Sequence, residues 1–477
     1  MKPSLLALVL LIAPAGVLSG GRAVFSQEPP AFLLRPASAS MYAMTSNGRV
    51  TDAGGASVTI HSTTAMSGGS GIVDAVIPLQ AMRGKRLRLV GEIRTENAQT
   101  GASLWVRIDS GSTMLLLENG MTNLVRGSSD WVTRSVTLPV LEEATSASLG
   151  LLLFGSGVAE ARNMRIEFVD VKLDAPMDPL AKAVLDSAII LVKTIALKRK
   201  DVQWNVVEPR VRQIAAGAQK SSDVYVAISY MIKQLNDHHS AHLKPVQATQ
   251  FRNGGAENPL PVVKTMPGNL GYISVPAYGG IEPAAARNYA MNVHTKMEEI
   301  RAQTSCGWVV DLRANGGGNM WPMLAGLKPF FGNDSLGTFV VDDKVGQPWV
   351  AGASVNMEPP SSLAGMHSAA VAVLVGARTA SSGEAVTIAF RGRPLTRIFG
   401  EPTAGLTSAN AQFPLPDGSI MNLAVSVEAD RTGRRYGYKI DPDELIKSSA
   451  PGSATDSTLD RAVSWLAPNG NCAKAGR

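Results

Sequence analysis

Aromatic side chains make up only 5% of this 477-residue chain, so its cores are built mostly from Ala, Val, Leu and Ile. Cysteine is scarcer: Cys306 and Cys472 are the only two. There is no run of five or more Lys or Arg, and the densest basic cluster, "LKRKD" at 197–201, reads as a solvated helix end. With a net charge of only +6 spread over the whole length, no nucleic-acid surface is expected. No apolar stretch reaches the ~20 residues that a membrane span needs. What is present is 45% hydrophobic and 18% charged residues, enough for large cores and too apolar for general disorder. At roughly 100–200 residues per domain, the length predicts two to four domains.

The first thirty residues, "MKPSLLALVLLIAPAGVLSGGRAVFSQEPP", place one Lys before an apolar run from Leu5 to Ile12, then Pro14 and small residues. This is the layout of a secretory signal peptide, expected over 1–27 with cleavage between about residues 20 and 27. An exported chain, periplasmic or extracellular, follows. No Cys directly follows the apolar run, so no lipid anchor is expected. In an oxidising compartment Cys306 and Cys472 could pair. Cys306 also precedes a strand-like run, where a buried free thiol is common, and the sequence leaves the two open.

Three segments follow. From 38 to 172 short apolar or alternating runs, among them "KRLRLVGEIRT", "ASLWVRIDS", "WVTRSVTLPV" and "ASLGLLLFG", are separated by Gly, Ser, Asn and Asp clusters, which predicts an all-β sandwich. These runs also resemble a jelly-roll, carbohydrate-binding-module-like domain. The resemblance allows a glycan contact, with Trp105 and Trp131 as the rings that could stack on a sugar. After a Pro-bearing linker, 177–245 shows helical spacing and predicts a small helical bundle, its last helix running into "LNDHHSAHL". From 258 to 467 strand and helix alternate, which predicts βαβ units and a largely parallel sheet.

Two stretches carry chemistry. In "VLVGARTASSGEAVTIAF" an apolar strand ends in small and hydroxyl residues just before a helix, placing Ser381 and Ser382 where free backbone N–H groups can stabilise an alkoxide or oxyanion. Both could equally serve only as helix caps. In "WVVDLRANGGGNMW" a buried strand ends at Asp311 before Gly316, Gly317 and Gly318, whose backbone can approach an anion closely. The P-loop Lys and Ser/Thr are missing, and so is the GxGxxG spacing of a dinucleotide site. A serine nucleophile needs a base, usually His. Three of the six histidines, His238, His239 and His242, sit together in "LNDHHSAHL". His238 and His242 stand four apart and could share a helix face as metal ligands, but the Glu of HExxH is absent and no other cluster completes a set. No metal and no cofactor are expected.

The order "L-x-D-x-H-S" (Leu235, Asp237, His239, Ser240), "GYISVP", "VVDLRANGGG", "TASSGE", "GEPTAG", "DPD" resembles the tail-specific or C-terminal-processing serine peptidases. That superfamily includes the tricorn core and the interphotoreceptor retinoid-binding modules. The resemblance spans roughly 180–467 and implies a crotonase-like α/β core beside a small helical domain. It implies Ser381 as nucleophile, with an oxyanion hole from the N–H of Ser382 and of Gly317 or Gly318. In the bacterial branch the base is a Lys twenty-five residues after the nucleophile; here that position is Leu406, which cannot take a proton. The tricorn-like branch uses a His from the helical domain, which falls on His239. The residue that would orient His239 is left among His238, Asp237, Glu401 and Asp441. The family's PDZ domain has no room between Leu243 and Asn269.

The function expected is therefore that of an exported serine peptidase, cleaving a peptide or protein substrate by acyl transfer through Ser381 with His239 as general base. The alternative is a non-catalytic binder of a small apolar ligand or glycan on the same scaffold.

Overall fold

The computed structural model describes residues 31–35, 38–64, 69–170, 175–252, 258–449 and 455–469. The expected signal peptide and Cys472 lie outside the described residues. The chain divides into two compact units, 1–171 and 172–477. Among the described residues no helix is long and apolar enough to cross a membrane.

The first unit is sheet-rich. Its strands are β1 (Leu33–Leu34), β2 (Tyr42–Asn47), β3 (Ala56–Ser62), β4 (Ser70–Pro78), β5 (Lys85–Ser110), β6 (Thr113–Glu118), β7 (Val125–Pro139), β8 (Ser146–Phe154) and β9 (Val158–Asp170). The sequence predicts "KRLRLVGEIRT" and "ASLWVRIDS" as separate strands; they are the two halves of one 26-residue strand, β5. Its first half pairs with β7 and β9, its second with β8 and β6. Between the halves Asn97 (φ 50°) and Gly101 (φ 129°) take left-handed conformations, which bends the strand. The two ladders then face each other: a Cβ on Gly71 of β4 would lie 2.4 Å from the Ile60 side chain of β3 and 2.7 Å from Tyr42 of β2. Period-2 alternation supplies the core, Leu87, Leu89 and Ile93 being buried and Arg88 and Arg94 exposed. Trp105 belongs to that core, with its Nε1–H donated to the Val73 carbonyl at 3.1 Å. Trp131 is half-buried, with the guanidinium groups of Arg162 and Arg94 over its ring at 4.0 and 4.9 Å. Trp105 is packed and presents no bare face for sugar stacking.

The second unit opens with helices α1 (Pro179–Ile195), α2 (Trp204–Ala215) and α3 (Tyr225–Lys233). Asp178 caps α1 by accepting from Ala181 N at 2.9 Å, with Pro179 at the first helical position, where its missing N–H costs nothing. The last helix does not continue through the histidines. It stops at Lys233, and Asn236 and His238 both take positive φ, 52° and 55°, which no helix accommodates. The chain instead enters a short strand, β10 (Ala241–Leu243), and a further helix, α4 (Pro245–Arg252).

The remainder is an α/β core. A six-stranded sheet has the order β11 (Val262–Met266), β12 (Leu270–Ser274), β13 (Gly307–Asp311), β16 (Val371–Val375), β17 (Thr396–Gly400), β20 (Glu444–Leu445), parallel except for β11. Its inner strands read as unbroken apolar runs because both faces are covered. Val371, Val373 and Val375 pack with α5 (Pro283–Ile300), α6 (Met320–Gly326), α7 (Lys328–Phe331) and α8 (Ser382–Phe390). Ala372 and Leu374 point the other way, to Ala462 and Leu466 of α9 (Ser457–Asn469). An antiparallel second sheet has the order β10, β19 (Ile420–Asp430), β14 (Gly337–Val341), β15 (Lys344–Pro348), with β18 (Ser408–Pro414) also on β19. The pairing of β10 with the start of β19, His242 opposite Met421, ties the histidine segment to the core.

Candidate active site

Strand β16 ends at Val375, and the turn after it is locked from inside. The fully buried Thr379 hydroxyl donates to the Leu312 carbonyl at 2.9 Å at the end of neighbouring β13, and Ala380 N donates to Asn315 O at 3.0 Å. Ser381 follows with φ 51° and ψ −119°, a conformation that costs a non-glycine residue on the order of 1–3 kcal/mol. The compensation is that α8 begins at Ser382 and Ser381 sits exposed to its N-terminal end. The Ser381 N–H is donated to Glu384 Oε2 at 2.9 Å.

The glycine loop lies against this turn. A Cβ on Gly317 (φ 106°) would fall 2.8 Å from Ser381 Cβ, so only glycine fits. The Gly317 N–H is already donated to Oδ1 of fully buried Asn315 at 3.0 Å. In the bridge between Tyr278 and Gly318, Tyr278 N donates to Gly317 O and Asn319 N donates to Tyr278 O, which leaves the Gly318 N–H outside the bridge. The Ser382 hydroxyl donates to Gly318 O at 2.6 Å and holds the two loops together. Of the two glycines predicted for an oxyanion hole, Gly317 is therefore committed elsewhere and Gly318 is not.

His239 arrives from the helical part of the chain. Asp237 Oδ1 accepts from His239 N at 3.0 Å and Ser240 N at 2.8 Å, while Oδ2 accepts from the Ser240 hydroxyl at 2.6 Å. This local Asx turn replaces the predicted helix end. The turn is pinned to the second sheet, where Ala424 N donates to Ser240 Oγ and Asn410 Nδ2 donates to His239 O. The half-buried imidazole then lies with Nε2 at 3.0 Å from Ser381 Oγ and Nδ1 at 2.8 Å from Ser408 Oγ. The tautomer with its proton on Nδ1 donates to Ser408 and leaves Nε2 free to accept from Ser381. Burial lowers the His239 pKa from its ordinary value, opposed by the charge of Asp237 and the contact with Ser408, so the ring is neutral near pH 7 and able to accept a proton.

None of the four side chains considered for orienting His239 touches Nδ1. His238 is exposed, turned outward by its left-handed backbone. Asp237 serves the backbone of the turn. Glu401 accepts from the Ser448 hydroxyl, and the Asp441 carbonyl accepts from Arg391. Ser408 takes the position, two residues past Leu406, and sequence spacing contained no sign of it. Leu406 contributes its N–H to Glu384 Oε2 at 2.7 Å. His242 stands apart from the dyad, its ring against Tyr225 at 4.7 Å between centroids. Among the described residues there is no group of three or more His, Cys, Asp or Glu side chains able to hold a metal ion.

Residues 269–446 match the sequence profile of peptidase family S41. The nisin-resistance protein of Lactococcus lactis subsp. lactis is 30% identical over 198 residues, 40% of this chain and 60% of that protein. The chloroplastic carboxyl-terminal-processing peptidase 2 of Arabidopsis thaliana is 28% identical over 185 residues, 38% of this chain and 33% of its own. The chain thus spans between a third and three fifths of the length of these curated relatives. The solved structure of a lipoprotein from Streptococcus agalactiae is similar with a TM-score of 0.53 at 21% identity, covering 61% of this chain and 97% of that one, which speaks to the fold alone.

Proposed function

We propose that this chain is a serine peptidase that cleaves peptide bonds by acyl transfer through Ser381, with His239 as general base. The observation that carries the reading is the 3.0 Å separation of Ser381 Oγ and His239 Nε2 at a left-handed strand-to-helix turn. Ser381 Oγ attacks the scissile carbonyl carbon while its proton passes to Nε2. The same proton is then given to the leaving amine as the C–N bond breaks, and water releases the acyl group by the reverse steps. Oxyanion stabilisation falls to the N–H groups of Gly318 and Ser382, each on the order of 2.7–4 kcal/mol if lost. Ser408 fixes the tautomer of His239 in place of an acidic third member. The substrate is a peptide or protein, and the N-terminal apolar segment supports export to the periplasm or the exterior.

The test is labelling with a fluorophosphonate probe, with the modified peptide located by mass spectrometry. Label on Ser381 in the wild type, absent in Ser381→Ala and strongly reduced in His239→Ala, is the expected result. A folded wild type that takes no label on Ser381 overturns the reading in favour of a binding protein on the same scaffold. Label that survives His239→Ala unchanged overturns the assignment of the base.

A further inference from the structure

Glu384 is fully buried in the first turn of α8 and touches both halves of the dyad's framework. Its Oε2 accepts the N–H of Ser381 at 2.9 Å and of Leu406 at 2.7 Å. Its Oε1 accepts the N–H of Gly405 at 2.8 Å and the hydroxyl of Thr403. Thr403 Oγ1 in turn accepts from Ile440 N at 2.8 Å, so its own hydrogen is free to point at the carboxylate. The first arm of this clasp grips the amide of the nucleophile. Through Leu406 it also grips the chain two residues before Ser408, whose hydroxyl holds the far side of His239, and the second arm secures the same loop at Gly405 and Thr403.

Three of the four donors are amide N–H groups, which can only donate; burial raises the Glu384 carboxyl above its ordinary value, while the bonds from Thr403, Gly405, Leu406 and Ser381 act the other way and favour the ionised form. A second buried carboxyl stands near it: Glu428 on β19 is 3% exposed, and its Oε2 has no hydrogen-bond partner among the described residues. Burial and the charge of Glu384 push the Glu428 carboxyl well above the usual range, so Glu428 is the one that keeps its proton. A plain helix cap would account for the bond to Ser381 N. It would not account for the three bonds to the 403–406 loop.

We propose that Glu384 is a positioning residue that sets Ser381 and His239 against each other, its carboxylate bridging the nucleophile turn to the 403–406 loop and, through Gly405 and Leu406, holding Ser408 in register with the imidazole. The inference rests on the serine-peptidase reading of the site. It assigns Glu428 no part in the chemistry beyond being neutral.

The test combines fluorophosphonate inactivation kinetics, melting temperatures and crystal structures for Glu384→Gln, Glu384→Asp, Ser408→Ala, Glu384→Gln/Ser408→Ala and Glu428→Gln. Glutamine keeps the volume but turns an NH2 group toward donor N–H groups, and kinact is expected to fall about a hundredfold with KI unchanged, the scale of a small misplacement of reacting groups. Aspartate keeps both acceptor oxygens one methylene short, with a fall between wild type and glutamine. It carries the test should the glutamine variant fail to fold. The double variant falls no more than about threefold below Glu384→Gln, because the arm to Ser408 is already lost. Glu428→Gln labels like the wild type. Losses that simply multiply in the double variant overturn the proposal, as does a Glu428→Gln variant as slow as Glu384→Gln. The crystal structures are read independently of labelling. In Glu384→Gln or Glu384→Asp, Ser381 leaves its left-handed conformation or the Ser408–His239 contact opens. Unchanged geometry overturns the positioning role. A wild type that takes no label overturns the peptidase reading instead, and the positioning role is then decided on geometry.

Discussion

Ser408 Oγ lies 2.8 Å from His239 Nδ1, on the far side of the imidazole from Ser381. A hydroxyl therefore stands where an acidic residue would complete a triad. A neutral partner can fix the tautomer but adds no charge to stabilise an imidazolium. Ser408→Ala is expected to lower the rate of fluorophosphonate labelling about tenfold, the scale of one net hydrogen bond. The influence of Ser408 that raises the His239 pKa comes from its backbone, which alanine keeps, so the acid limb of the labelling profile stays at its wild-type position in the same variant. A pH series on wild type and variant checks both. A labelling rate equal to wild type would remove Ser408 from the mechanism.

The charge of Asp237 favours protonated His239. Asp237→Asn keeps an Oδ1 acceptor for the two backbone N–H groups of the turn but deletes the charge. The His239 pKa, already lowered by burial, then falls further. The base stays neutral to a lower pH, and the acid limb shifts to more acidic values than in the wild type. A shift toward neutrality would mean that the limb belongs to another group.

Gly317 is a steric requirement of the nucleophile. Its φ of 106° disfavours any side chain, and a Cβ would sit 2.8 Å from Ser381 Cβ and 2.9 Å from Ala380 O. Gly317→Ala is expected to abolish labelling, with a stability loss on the order of 1–3 kcal/mol from the backbone strain, measured by denaturant unfolding. Gly316→Ala is the control, since a Cβ there meets nothing within 4 Å. It should leave both quantities near wild type.

The parts of the site readable in the sequence are those imposed locally. A strand that must end in a left-handed serine, and glycines that must lie flush against it, leave their mark as "TASSGE" and "NGGG" within a few residues. The buried strands of the α/β core are equally plain, since coverage on both faces writes them as unbroken apolar runs. What could not be read depends on register between distant strands. Ser408 meets His239 across 169 residues only because β18 and β10 both pair with β19. The end of α3 is not legible either, because apolar spacing continues past Lys233, while the left-handed Asn236 and His238 that stop the helix carry no strong signal. The bend in β5 was hidden for a similar reason: Asn and Gly between two apolar runs look like a turn between strands.

His242 tests the sequence reading of the histidine cluster most directly. As a metal ligand or an alternate base it would need a usable nitrogen and an accessible pKa. Its Nε2 is buried without a partner among the described residues, its ring packs edge-on to Tyr225, and burial pushes its pKa down to about 4. His242→Phe keeps the ring contact and removes the unsatisfied nitrogen, so labelling of Ser381 is expected to stay within about twofold of wild type, as for an uncharged packing change. The pH dependence of stability separates the two chains. Because the folded pKa lies below the unfolded value near 6.5, the unfolded state binds a proton that the folded state refuses, and the wild type loses stability as pH falls from about 6.5 to about 4. The phenylalanine variant lacks this titration. Its melting temperature should gain on the wild type steadily across that window and stay level with it above pH 7. Parallel melting curves at every pH would mean that His242 titrates alike in both states, and that the ring is not held in the buried position against Tyr225.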